Sequence, residues 1–442
     1  MIDLAQKTVK ESLKRGIEKA EAFFSTSRIF SFSTVKDKLR KSSYNEDSGI
    51  GLRVAIGKRL GFAYSTTLQI DELVKNAISV CKLSKPLKNE IVFPDKLKVG
   101  KRVFDKRIFD MDEREIEKTI NETLEAIKNE NAMPVEVSLS YGVREFGIVN
   151  SEGIAVMDKS SFIVLSASAR KGKSTFEECQ YSRLLEVNPS VLGKMVGENV
   201  NELERAKGKV GKIEEVVLHP KVLSGLLTFT ILPSFYANNV QKHRSLFEGK
   251  VGKEVVSRKI TFIDDGLMRN GWNTFCFDGE GTPPKRKFVV KDGILKTFLY
   301  DCYTAKKDNV ESTGNAKRIN FRETPSISVT NFIMKGGRGK FDDIISQVEN
   351  GILVRSVLGA FLSNPVTADF SVKLDLGFLV KNGEIVKPVK GLMLAGNMLD
   401  ALKNLELISK ETLLAGSPID IYTFGLPGQV LPMITTTRIK VT

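Results

Sequence analysis

Hydrolytic chemistry needs a nucleophile, a group that takes its proton and a means of polarising the bond under attack. The carboxylates Asp264 and Asp265, at the end of "RKITFIDDG", are the most suggestive pair for such work. Adjacent residues on a strand point to opposite faces, so the two would not converge on one substrate atom. A turn or cap is the expected role. The two histidines, His219 and His243, stand twenty-four residues apart, and neither is followed by Glu. No helix can therefore present paired imidazoles to a zinc ion. One histidine with scattered acids or thiols is the remaining route to a metal site. His219 precedes Pro220 at a strand–helix junction and reads as a packed or capping residue. His243, in "QKHRS", reads as solvated.

Other reactive types are equally sparse. The four cysteines, Cys81, Cys179, Cys276 and Cys302, have neither metal-knuckle nor redox-motif spacing and read as buried thiols. No Gly-x-Ser-x-Gly elbow is present. "KGGRGK" (Lys335 to Lys340) has glycine amides and cations that suit an anion, but it lacks Walker spacing, so a hairpin loop is expected. Ser312, Thr313, Gly314 and Asn315 read as a tight polar turn, with substrate contact as the alternative. Trp272, the single tryptophan, either anchors a substrate or covers a core edge.

The elements that would carry these residues follow from periodicity. A first helix is expected with Asp3 as N-cap and Leu4, Val9, Leu13 and Ile17 on one stripe. Two strands flank a Gly57-Lys58-Arg59 turn, and a helix follows with Asp71 at its start. "MDEREIEKTINETLEAIKNENA" is the clearest helix, with Ile116, Ile120, Leu124 and Ile127 on one face. Strands and a further helix lead to a boundary near Gly208. Beyond it, "LLTFTILPSF" reads as an apolar helix kinked at Pro233. Alternating strands then turn at Lys-Asp-Gly and Lys-Asn-Gly. "KFDDIISQVENG" reads as a helix with Gly351 as its C-cap. The expected class is α+β and bilobed: an N-terminal helix/strand lobe over 1–208, and a C-terminal lobe over 209–442 on a large, mostly antiparallel sheet, open or closed into a barrel.

At 442 residues, two domains are the default. The chain has no apolar run long enough for a membrane span and no apolar leader, so a cytoplasmic location is expected. A net charge of +14, from 67 Lys+Arg against 53 Asp+Glu, raises the question of nucleic acid. The charge is spread and both signs are mixed, which fits a charged surface better than a nucleic-acid footprint.

Several stretches in order resemble the TldD/PmbA family, also described as modulators of DNA gyrase: "EDSGIGLRVAIGKRLGFAYS", "SLFEGKVGKEVVSRKITFIDDG", "TGNAKR" and "VKGLMLAGNMLDALKNLELIS". The resemblance covers nearly the whole chain. It implies a bilobed protein that pairs as a TldD-like and a TldE-like (PmbA) subunit and cleaves small unfolded peptides. It places zinc in the TldD-like subunit, on His-Glu-x-x-x-His plus a cysteine near the C-terminus. Registered on "SLFEGK", those positions fall here on Thr228, Phe229 and Pro233, and "TFGLPGQVLPMITTTRIKV" puts the cysteine position on Phe424.

The resemblance therefore implies a TldE/PmbA-type subunit with no catalytic residue, cofactor or metal of its own, and zinc in a TldD-like partner. Expected partners are that subunit, as a heterodimer, and an unfolded peptide, which could add as a strand to a sheet edge. A homodimer is an open option when the partner is missing; a membrane partner is not expected. Two alternatives remain: an independent metallopeptidase with an atypical site, and a gyrase- or nucleic-acid-associated binding protein.

Overall fold

In the computed structural model, residues 1–35, 37–67, 69–95, 99–416 and 427–442 are described. The fold is α+β, built on two large sheets. The first is six-stranded and antiparallel, in the order β3-β2-β1-β4-β5-β6. Its strands are β1 (Lys19–Val35), β2 (Lys38–Ile56), β3 (Arg59–Ser65), β4 (Met133–Asn150), β5 (Ala155–Lys171) and β6 (Ser174–Ser182). Strand alternation divides its residues between two faces. On β1, Ala20, Ala22 and Phe24 pack with the helices α1 (Ile2–Lys14) and α2 (Ile70–Leu83). The intervening Phe23 joins a cluster with Phe146, Ile148 and Phe277 on the other face.

A short helix, α3 (Lys106–Phe109), precedes α4 (Glu113–Asn129). Asp112 caps α4, accepting from the Glu115 N–H at 2.8 Å, while Glu115 reaches back to the cap residue. The expected stripe of Ile116, Ile120, Leu124 and Ile127 is buried against Val137, Leu139, Ile163 and Leu165. The helix α5 (Pro189–Arg205) packs on the same cluster through Leu192, Val196 and Val200.

After β7 (Glu215–Leu218), α6 (Pro220–Thr230) and the short α7 (Ala237–Val240), the chain adds β8 (Phe262–Asp265), β9 (Arg286–Lys291), β10 (Ile294–Leu295) and α8 (Cys302–Asp308). A separate ribbon pairs β11 (Ala316–Lys317) with β12 (Ser326–Ile327). Next come β13 (Phe332–Met334), α9 (Phe341–Ser346), β14 (Asn350–Leu358), β15 (Asp369–Lys381), β16 (Glu384–Val389) and β17 (Met393–Asn397). The last elements are α10 (Met398–Lys403), β18 (Leu405–Ala415), β19 (Gln429–Thr436) and β20 (Ile439–Val441).

The second sheet is twelve-stranded and runs β10-β9-β8-β13-β19-β7-β14-β15-β17-β20, with β16 on β15 and β18 on β19. Its ends do not meet, so of the two expected forms the open one holds. Most pairs are antiparallel; β13/β19 and β7/β14 are parallel.

Several local expectations need correction. The first helix starts at Ile2, so Asp3 lies in its first turn rather than at the cap, whereas Asp71 stands at the start of α2 as expected. Both acids still sit where the helix dipole favours them. α9 ends at Ser346, and Gly351 belongs to β14, where a Cβ would lie 2.4 Å from the Val348 side chain. Lys335 to Lys340 do not form a free hairpin loop. They run along β18, with the Gly337 N–H bonded to the Ser409 carbonyl at 2.8 Å. Glycine is required there because a Cβ on Gly337 would meet the Ile408 carbonyl oxygen at 2.2 Å. Among the described residues no helix is long and apolar enough to cross a membrane.

Candidate functional site

The helix α6 begins where Pro220 supplies a preset φ at the first helical position and His219 caps it, Nδ1 accepting the Lys221 N–H at 3.3 Å. This is the capping role expected of His219. Burial holds its pKa well below the usual imidazole value, and the neighbouring Arg355 and Lys221 add to that effect. The other histidine, His243, is exposed and faces Glu248 at 2.7 Å. α6 is apolar on nearly every side and lies in the main core. It stops at Thr230, short of the kinked helix expected through Pro233. Proline has no N–H to give the Phe229 carbonyl, so Leu232–Phe235 tighten into a 3-10 turn instead.

Three of the four positions that the resemblance singles out are thereby placed. The Thr228 hydroxyl donates to the Ser224 carbonyl at 2.8 Å, and the Gln429 amide donates to Thr228 Oγ1 at 2.8 Å. Phe229 packs its ring against the main core, and Pro233 sits in the 3-10 turn. Phe424 lies outside the described residues. A hydroxyl already engaged on both sides, a phenyl ring and a pyrrolidine ring do not fit a zinc ion, which takes imidazole, thiolate or carboxylate. Among the described residues no three His, Cys, Asp or Glu side chains stand together as a metal site. The four cysteines are buried, and no disulfide joins any of them among the described residues.

Next to the start of α6 lies a buried ion cluster. The Glu178 carboxylate, on β6, is paired with Lys221 and, at 3.0 Å, with Arg355 of β14. Nearby, the Tyr181 hydroxyl donates to the Ala415 carbonyl at 2.6 Å and accepts the Gly428 N–H at 3.2 Å. Its ring meets Trp272 edge-to-face, with centroids 4.7 Å apart.

Asp264 and Asp265 part company, as strand alternation requires. Asp264 is fully buried, 2.7 Å from Lys287 Nζ and 2.8 Å from Asn315 Nδ2. Asp265 accepts the Leu267 N–H at 2.9 Å, a turn bond, and meets Arg286 at 3.2 Å. The Ser312–Asn315 loop is a tight turn with Gly314 at φ +71°, where a Cβ would lie 2.5 Å from the Pro283 carbonyl oxygen.

That loop and Trp272 border a cleft of about 690 Å³ between the six-stranded sheet and the loops and β11/β12 ribbon of the second half of the chain. Its wall on the six-stranded sheet is the face that carries Phe23, Arg144 and Phe146; Trp272, Asp278 and Lys317 face them from the second half of the chain. Trp272 covers Tyr181 at a core edge, the second of its two expected roles, and it also lines the cleft. Asp278 Oδ1 accepts the N–H groups of Glu280 and Thr282 at 2.9 Å, and Oδ2 accepts that of Ala316 at 3.0 Å. Burial pushes its pKa up to about 7, and the Glu280 charge adds to the shift. Beneath the cleft, Arg53 of β2 bridges Glu21 of β1, at 2.6 Å, and Glu280, at 3.1 Å, while Arg318 also pairs with Glu21.

Sequence reasoning singled out neither Arg144 nor Lys317 nor Asp278. The spacing of Phe23, Arg144 and Phe146 on one sheet face was the available signal, but it needs the β1/β4 register to be read. That register sets Phe23 opposite Ile148 and Ser25 opposite Phe146.

Residues 211–442 match the model of the PmbA/TldA metallopeptidase C-terminal domain, and residues 20–81 that of PmbA/TldA metallopeptidase domain 1. An uncharacterized protein of Methanocaldococcus jannaschii is 30% identical over 410 residues, covering 90% of this chain and 93% of its own. A metalloprotease TldD homolog of Haemophilus influenzae is 25% identical over 95% of this chain and 90% of its own. In fold, the chain is similar to TldE from Thermococcus kodakarensis, with a TM-score of 0.88 and 22% identity over 99% of this chain and 100% of that one. It is also similar to a Thermotoga maritima protein named as a candidate modulator of a DNA gyrase, with a TM-score of 0.85 and 23% identity over 100% and 99% of the two chains. The chain belongs to the TldD/PmbA metallopeptidase family.

Proposed function

We propose that this chain is the non-catalytic, TldE/PmbA-type subunit of a cytoplasmic TldD-type metalloprotease that degrades or processes small unfolded peptides. In this reading its lobes divide at residues 208/209, its TldD-like partner supplies the zinc, and its own cleft contributes a wall of the shared peptide chamber. The observation that carries the reading is the closed pair Thr228–Gln429 beside Phe229, at the positions where the resemblance expects metal ligands and a proton acceptor. A zinc-bound water needs an open coordination position and a base beside it. The side chains at Thr228, Phe229 and Pro233 supply neither.

The test is an assay of unfolded-peptide cleavage and of bound zinc, on the chain alone and after mixing with a TldD-like subunit. The expected result is no cleavage and no stoichiometric zinc in the lone chain, with chelator-sensitive cleavage in the mixture. Strong cleavage by the lone chain would refute the assignment.

A further inference from the structure

The cleft is rich in cations without counter-charges. The Lys317 ammonium, largely buried in its wall, has no hydrogen bond and no carboxylate within ion-pair distance among the described residues. Arg144, on the facing wall, makes one side-chain hydrogen bond, to the Arg318 carbonyl at 3.3 Å, and stacks on Phe146 at 4.9 Å. The neighbouring acids are already committed. Glu21 and Glu280 are held by Arg53 and Arg318, and Asp47 is paired with Arg322 at 2.5 Å. Asp278 is bound to three backbone N–H groups, leaving the exposed Glu323 as the acid whose field reaches Arg144 and Lys317. Burial lowers the pKa of both cations, the Arg144 charge lowers that of Lys317 further, and Glu323 opposes the shift in each. Buried charges are ordinarily paired, and leaving them unpaired is unfavourable. An anion entering between the two walls would relieve that penalty.

We propose that Arg144 and Lys317 form a carboxylate-binding subsite, which anchors an unfolded peptide in the cleft by its C-terminal carboxylate or an acidic side chain. The inference rests on the peptide-chamber reading above and adds to it the chemistry of the substrate. The cleft volume, about 690 Å³, is in the range of small-ligand sites and accommodates a short peptide segment. Guanidinium and ammonium divide the work: Arg144 offers a planar fork to the carboxylate, and Lys317 a point charge. The aromatic rings around them, Phe23, Phe146 and Trp272 among them, supply apolar surface that any side chain can use. Such a site fixes one end of a peptide without reading its sequence.

Trp272 lines the cleft and is the single tryptophan, so its emission reports binding in the intact chain. Three N-acetylated peptides of one otherwise uncharged sequence serve as probes: a free C-terminal carboxylate, a C-terminal amide, and an amide carrying one internal Glu. A carboxylate-bearing probe is expected to bind about tenfold or more tightly than the uncharged amide, the size of a charge-assisted hydrogen bond. Comparison of the first and third probes identifies the source of the carboxylate. Lys317→Met and Arg144→Gln are each expected to abolish that preference. Lys317→Met should also melt no lower than the parent chain, because it removes an unpaired buried charge, which separates lost recognition from misfolding. Equal binding of all three probes, or a preference that survives Lys317→Met, overturns the proposal. The measurement uses the lone chain, so its failure leaves the requirement for a metal-bearing partner standing; cleavage by the lone chain would sink that requirement and not this site.

Discussion

Glu178 shows what a single buried charge does for this fold. Burial alone would raise its pKa, but Lys221 and Arg355 outweigh that and hold it below the usual carboxylate range. A carboxylate with a lowered folded pKa contributes stability that is present above the unfolded value, about 4.3, and lost as pH falls through the folded one. Glu178→Gln would leave two cations without their counter-charge, at a cost of about 3–5 kcal/mol at neutral pH. Urea unfolding across pH checks this: the gap between parent and variant should narrow below about pH 4.3. His219 is legible at this scale, because a residue before Pro220 at a helix start has few roles open to it. Glu178 is not, because its partners lie on α6 and β14, 43 and 177 residues away.

At the scale of elements, length and neighbour matter more than type. The stripe of α4 was readable because its apolar positions recur on one face and acids lead it. The end of α6 was not, since its apolar residues continue past Thr230 and backbone hydrogen bonding ends it. The glycines of "KGGRGK" carry the same lesson. Their composition suits an anion, yet a neighbouring strand explains them, with no space for a Cβ between Gly337 and β18. Gly337→Ala should destabilise the protein by about 1–3 kcal/mol, the usual penalty of overpacking. A thermal melt reads this directly. An unchanged melting temperature, combined with lost protection by phosphate, would favour the anion reading.

At the scale of the molecule, the two sheets are joined through charges as well as apolar contacts. Arg53 holds Glu21 on its own sheet and Glu280 across the junction, and the Cys302 N–H donates to Glu280 at 2.8 Å. Phe23 and Phe146 meet Phe277 in the same region. Coupling of this kind should make the protein unfold as one cooperative unit. Arg53→Met removes the shared cation, leaving Glu280 buried without its counter-charge, and is expected to lower stability by about 3–5 kcal/mol. Scanning calorimetry should then resolve two transitions where the parent chain gives one. A single transition at the parent temperature would show that the apolar contacts alone couple the lobes.

The sequence by itself determined the α+β class, most helices and strands, and the want of a paired-imidazole site, because these depend on local periodicity and on which residue types are present at all. Two histidines twenty-four residues apart cannot become a metal helix in any fold. Only the tertiary structure decided that the large sheet stays open, that Gln429 closes over Thr228, and that Arg144 and Lys317 face one cleft. Each of these joins residues far apart in the chain, and strand register, not local propensity, sets which side chains meet.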